Sequence, residues 1–198
     1  MSAPAQFRLN LFGRIVYGAM LAWFRRSGWR AEGHLPPDRK FILVGAPHTS
    51  NWDFLVFVGT IAAFGKQVHF IGKHTLFRWP FGAMMRGLGG VPVDRSAPRD
   101  LVQQMADQFA ARDDFILIVA PEGTREKTIR WHTGFYQIAL ATGAPMVCAG
   151  PDYPRRRGII GPVVHATGDY ERDMAPAFAF FHTLKPKHPE RSYIPTLA

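Results

Sequence analysis

The chain alternates short, nearly unbroken apolar runs with longer stretches of helical period. Phe41-Ile42-Leu43-Val44, Val68 to Gly72, Val91-Pro92-Val93, Phe115 to Ala120 and Met146 to Ala149 form the first set. Runs of this length predict strands buried on both faces, as in a parallel sheet covered by helices. Between them, Asn51 to Phe64, Leu76 to Leu88 beyond Pro80, Arg99 to Arg112 and Phe135 to Ala141 predict helices. Ser50 or Asn51 suits the N-cap of the first. Gly89-Gly90 and Thr142-Gly143 end two of the others. Ile159-Ile160 with Val163-Val164 predicts an edge pair, and the polar tail from Lys185 reads as a loose terminus. The whole predicts one α/β domain with a mainly parallel sheet flanked by helices.

The segment before the first strand has a different pattern. From Phe7 to Trp29 aromatic residues and Arg interleave around Ile15 to Phe24, an uncharged stretch of ten residues. That is half of the roughly twenty needed to cross a bilayer. It ends in Arg25-Arg26 with no small-residue cleavage site, unlike a signal peptide. Two readings fit: an amphipathic helix lying in a membrane interface, or a helix packed on the domain.

Composition narrows the partners. Lys and Arg total 24 against 15 Asp and Glu, a formal charge of +9. The excess favours anionic partners such as phosphate groups, anionic lipid or an acidic carrier protein. Arg155-Arg156-Arg157 is one short basic cluster and no nucleic-acid-binding motif is present, so no nucleic-acid partner is expected. The single cysteine, Cys148, lies in an apolar run and reads as a core residue. The eight histidines lack zinc-motif spacing, and no metal is expected. G-x-S-x-G, G-x-G-x-x-G and the P-loop pattern are absent, which argues against a serine hydrolase, a dinucleotide enzyme or a P-loop enzyme.

Three polar constellations follow predicted strands, where ligands of open α/β sheets bind. His48 and Asp53 enclose Thr49-Ser50-Asn51-Trp52. With His48 in the turn and Asp53 in the first helical turn, the carboxylate can hold one imidazole nitrogen. The other nitrogen is then available to a substrate hydroxyl. A helix cap at Asp53 explains the same pair structurally. Glu122-Gly123-Thr124-Arg125 follows the strongest strand. Its Gly allows close approach of a ligand, its Arg offers a planar fork for phosphate or carboxylate, and its Glu is placed to orient an Arg or bind a hydroxyl. Lys73 and Arg78 lie in a basic stretch that continues to Asp94-Arg95. Trp79, Pro80, Phe81, Met84 and Met85 read equally as packing or as the wall of an acyl groove.

Taken together, these motifs resemble the lysophosphatidic acid and glycerol-3-phosphate acyltransferase family. His, four residues, Asp is matched by His48 and Asp53. A second motif is matched by Lys73, Pro80-Phe81-Gly82 and Pro92-Val93-Asp94-Arg95, a third by Glu122-Gly123-Thr124-Arg125, and a fourth by Ala144-Pro145-Met146-Val147. The resemblance covers about residues 41 to 149. It implies an acyltransferase-like α/β fold, with residues 1-30 as a membrane-associating amphipathic helix and 31-198 as the acyltransferase domain. His48 is then the general base and Asp53 its orienting partner, while Arg125, Lys73 and Gly123 hold the acceptor's phosphate; Arg78, Glu122 and Thr124 beside them are expected as further substrate-binding residues. No bound cofactor is implied. Acyl-CoA or acyl-carrier protein is the donor substrate, and a lysophosphatidic acid-like lipid the acceptor. The place is peripheral or monotopic, on the cytoplasmic face of the cell membrane, at an anionic surface. Two departures stand out: Thr75 occupies a position where Glu is common, and His132 one where many relatives carry Lys. The alternatives are an acyltransferase for another lyso-lipid, such as a lyso-ornithine lipid, and a non-catalytic lipid-binding membrane protein.

Overall fold

The computed structural model describes residues 11–79, 82–93 and 98–196. Phe7, Arg8, Pro80, Phe81, Asp94 and Arg95, all singled out from the sequence, lie outside these. Seven strands form one sheet: β1 Arg30–Glu32, β2 Lys40–Gly45, β3 His69–Lys73, β4 Gly90–Val93, β5 Phe115–Val119, β6 Met146–Asp152 and β7 Arg157–Val164. Their order is β1-β7-β6-β2-β5-β3-β4, and every pairing is parallel except the antiparallel β6–β7 pair.

Among the described residues, six α-helices accompany the sheet: α1 Leu11–Arg26, α2 Asn51–Ala63, α3 Gly82–Gly87, α4 Pro98–Ala110, α5 Gly134–Thr142 and α6 Tyr170–His182. The alternation of side chains along a strand divides the core in two. Ile42 and Val44 of β2 pack with Phe115 and Leu117 against α4, α5 and α6. Phe41 and Leu43 pack with Ile116 and Val147 against α2 and Tyr17 of α1. Strands buried on both faces are therefore apolar over most of their length, which made them readable as continuous runs, with His69 and Asp152 as buried exceptions.

Helix α1 is built into the second layer. Tyr17 is buried, and its hydroxyl donates to the Val68 carbonyl at 3.0 Å. Phe24, 1% exposed, lies over Gly59 of α2. A Cβ on Gly59 would stand 2.5 Å from the Phe24 ring, so glycine permits this close crossing. The opposite side of α1 exposes Leu11, Ile15, Gly18, Ala19 and Ala22 with Arg14, Arg25 and Arg26. Both readings of this segment thus have a face: one packed on the domain, one apolar and open. No described helix is long and apolar enough to cross a membrane.

Several expectations need correction. Residues 159–164 are not an edge pair. They belong to the single strand β7, which lies inside the sheet between β6 and β1. The edge is taken by β1, three residues with no apolar run to announce it. Helix α6 was not expected. Asp169 caps it and Met174, Ala177, Phe178 and Phe181 are buried at helical spacing, but Pro176 interrupts its interior. The tail is not loose. The Trp131 indole donates to the Tyr193 carbonyl at 2.9 Å, and Tyr193 and Ile194 pack against the core.

Candidate active site

Parallel register brings the ends of β2, β5 and β6 side by side. Val44 pairs with Val119 on one side and with Cys148 on the other. The turns that leave these strands carry the polar constellations, so residues distant in sequence meet at one edge of the sheet.

The turn after β2 runs into the N-terminus of α2. Ser50 is the N-cap and Asp53 the third helical residue of a capping box. Asp53 is fully buried, and its Oδ2 accepts the amides of Thr49 and Ser50, each at 2.7 Å. The same oxygen lies 3.4 Å from His48 Nδ1. Cap and pair are thus one arrangement: the carboxylate that closes the helix also faces the imidazole. That separation is longer than an aligned hydrogen bond, and the buried Nδ1 makes none. His48 is partly exposed and lines a cavity of about 600 Å³.

That cavity has two chemical halves. Phe54, Phe57, Phe70, Ile71, Leu101 and Ile118 form its apolar wall, while His48, Gly123, Thr124 and Arg125 form the polar part. The apolar wall is therefore drawn from α2, β3, α4 and β5. The Trp79, Met84 and Met85 stretch does not contribute to it, and Trp79 is 94% exposed. Gly45 lies at the wall because a Cβ there would meet the Phe57 ring at 2.9 Å.

Arg125 points one edge of its guanidinium to Asn51 Oδ1 at 2.6 Å. Asn51 thereby orients it, a role the sequence did not reveal. Gly123 has φ of +66°, and a Cβ there would stand 2.8 Å from the His132 ring. Both its conformation and its contact require glycine. His132 closes over that turn, its amide donating to the Pro121 carbonyl at 2.8 Å. Thr124 Oγ1 accepts the Glu126 amide at 3.2 Å and shapes the same turn. Lys73 and Arg78 are exposed at this edge of the sheet and stand outside the cavity lining.

Glu122 departs from its expected place. It is 1% exposed, lies behind His48 rather than on the cavity wall, and accepts the His48 amide on Oε1 at 3.0 Å. Its Oε2 is buried without a hydrogen-bond partner. Burial raises its pKa to about 8; the neighbouring Asp53 charge adds to the rise, and the His48 amide opposes it. Among the described residues, no group of three or more His, Cys, Asp or Glu is placed to hold a metal ion.

An imidazole facing a carboxylate, set over an apolar cavity with an arginine on its rim, has the chemistry to move a proton beside a ligand that is apolar at one end and anionic at the other. The family model described as Acyltransferase matches residues 29–150. The chain belongs to this acyltransferase family. Among solved structures, it is similar to the 1-acyl-sn-glycerophosphate (LPA) acyltransferase PlsC from Thermotoga maritima, with a TM-score of 0.57 at 20% identity. The match covers 86% of this chain and 79% of that one, and it shows that the two share a fold. No curated protein matches the chain.

The burial of Glu122 gives a pH signature. Its folded pKa, about 8, lies above its ordinary value of 4.5. Its contribution to stability is therefore complete below about 4.5 and is lost as pH rises through about 8. Glu122→Gln keeps an oxygen for the His48 amide and removes the titration. Urea midpoints measured between about pH 5 and 8 should fall less steeply for this variant than for the wild type. Parallel curves would show that Glu122 does not titrate in this range.

Proposed function

We propose that the protein transfers a fatty acyl group from a thioester, acyl-CoA or acyl-carrier protein, to the hydroxyl of a lysophosphatidic acid-like acceptor. The observation that carries this reading is the His48–Asp53 pair at the mouth of a cavity that is apolar on one side and bears Arg125 on the other. An acyl chain fits the wall of Phe54, Phe57, Phe70 and Ile118, while an anionic headgroup fits the guanidinium. The Thermotoga maritima protein of like fold is a 1-acyl-sn-glycerophosphate acyltransferase, which agrees with this reading.

In the proposed reaction Asp53 holds the Nδ1 side of the imidazole, and Nε2 removes the proton as the acceptor oxygen attacks the thioester carbonyl. Negative charge gathers on the carbonyl oxygen. On that side of the cavity the backbone N–H groups of Thr124 and Arg125 are proposed to meet this charge, which leaves the Arg125 guanidinium for the headgroup. Collapse of the tetrahedral intermediate forms the ester and breaks the C–S bond, and the proton on His48 passes to the departing thiolate. Both substrates are held together, so no acyl-enzyme is required. A non-catalytic lipid-binding protein would use the Asp53 carboxylate only as the cap of α2 and would not need a cavity-lining histidine facing it.

We further propose that the open face of α1 lies on an anionic membrane, with Leu11 and Ile15 in the apolar layer and Arg14, Arg25 and Arg26 at headgroup level. The stripe 11, 15, 18, 22 follows helical spacing and is exposed along its length, Leu11 by 73% and Ile15 by 62%. On this proposal the segment 1-30 is membrane-associating through α1 and 31-198 is the catalytic unit, while α1 also packs against the core.

Three outcomes follow. His48→Ala should lower turnover by roughly 100-fold or more, and Asp53→Asn by a similar or smaller factor, in assays that resolve the lipid products. Near-normal turnover of folded His48→Ala would remove the site assignment. Arg125→Lys keeps the charge and loses the fork. It should depress kcat/KM more for a phosphorylated acceptor than for a neutral one, and an equal loss on both would assign Arg125 to the donor or to the fold. Replacing Leu11 and Ile15 together by Asp should release the protein from anionic vesicles without lowering its thermal midpoint by more than a few degrees, since neither is buried. Unchanged sedimentation with vesicles would place the membrane contact elsewhere.

A further inference from the structure

Beyond the region matched by the family model, the turn joining β6 to β7 delivers one more side chain to the dyad. Asp152, buried at the end of β6, accepts the Arg155 amide at 3.2 Å and its Nε at 3.1 Å. Arg156 adopts φ of 51°, and its amide donates to the Tyr153 carbonyl at 3.1 Å. The Tyr153 amide donates to the Lys185 carbonyl at 3.0 Å, and its ring meets Trp29 edge-on at 5.0 Å. Tyr153 is thus fixed by its own turn, by the C-terminal tail and by the end of the α1–β1 connection. Its hydroxyl donates to Asp53 Oδ1 at 2.5 Å, across 100 positions of sequence.

The two oxygens of Asp53 have different partners. Oδ2 takes the Thr49 and Ser50 amides and faces His48, whereas Oδ1 takes Tyr153. A carboxylate anchored through Oδ2 alone keeps a broad, soft rotation about its terminal bond. A donor on Oδ1 removes that freedom. It also satisfies an oxygen that is wholly buried and would otherwise pay the full desolvation penalty. Burial first, then the bond to Asp53, push the Tyr153 phenol far above its ordinary pKa, so it remains a donor at any working pH.

We infer that Tyr153 is a positioning residue for acyl transfer: by donating to Asp53 Oδ1 it locks the carboxylate plane and keeps Oδ2 on His48 Nδ1. The inference rests on the acyl-transfer reading of the site. Tyr153 is not among the residues lining the cavity that holds His48; it faces a smaller cleft with Trp29, Trp52 and Lys187. It acts through Asp53.

The test is steady-state acyl transfer by the full chain as wild type, Tyr153→Phe, Asp53→Asn, the double variant and His48→Ala. Tyr153→Phe retains the ring against Trp29 and therefore folds, as checked by circular dichroism and the thermal midpoint. Its kcat should fall roughly 10- to 100-fold, the scale of a small misplacement of catalytic groups. KM for donor and acceptor should stay within about two-fold, because no binding contact is lost. The acidic limb of the kcat/KM profile should move to higher pH, because Asp53 with one donor fewer has a less dispersed charge facing the imidazole. In the Asp53→Asn background the same substitution should add little, the non-additivity expected of groups acting in series. Wild-type kcat with an unmoved acidic limb would overturn the inference, as would an undiminished loss in the Asp53→Asn background. If His48→Ala is inactive while Tyr153→Phe behaves as wild type, the positioning role alone falls. If His48→Ala is active, the site assignment falls and this inference with it.

Discussion

A carboxylate withdrawn completely from water must be met by donors, and the fold at this site is arranged to supply them to Asp53. Two come from the backbone of its own helix start, at Thr49 and Ser50, and one from the phenol of Tyr153. The capping box that starts α2 and the contact that orients His48 share one side chain. Local helix chemistry and the candidate catalytic geometry are therefore inseparable: the helix cannot lose its cap without the imidazole losing its partner.

Around this carboxylate the loops are tied by contacts between segments distant in sequence. Glu122, from the turn after β5, accepts the His48 amide. Asn51, from the first helical turn, accepts from Arg125 in the next loop. The tail crosses the same edge of the sheet, where the His188 amide donates to Thr49 Oγ1 at 3.3 Å and Arg191 pairs with Glu126 at 3.3 Å. The Arg191–Glu126 pair is exposed and contributes little alone. The anchored backbone and the buried Trp131–Tyr193 contact do more, since they bury apolar area along with the bond. Loops at the ends of parallel strands are thus tied to one another around the cavity that His48 and Arg125 both line.

What the sequence disclosed follows from the same physics. Strands β2, β5 and β6 are covered on both faces, so their apolar runs carry the fold class without any structure. The His48–Asp53 and Glu122–Arg125 patterns were legible because their spacing is local. β1 and β7 were not, since an edge strand of three residues pairs through its backbone and β7 is interrupted in pattern by Gly161-Pro162. Nor does spacing tell on which side of a turn a residue falls. Glu122 and Arg125 read as two polar groups of one loop, yet one is buried behind His48 and the other lies open on the rim. Tyr153 gave no signal at all, because its partner is 100 positions away and no local pattern encodes such a contact.

Helix α1 acquires its meaning from its neighbour. It crosses α2 where Phe24 fits over Gly59, and Trp23 stacks on Trp52 with ring centroids 5.4 Å apart. Trp52 directly precedes Asp53, so the helix that offers an open apolar stripe is packed onto the turn that holds the dyad. Close-packed helices transmit position rather than absorb it. A bilayer that fixed Leu11 and Ile15 would therefore also fix the orientation of the cavity mouth, with no flexible link between.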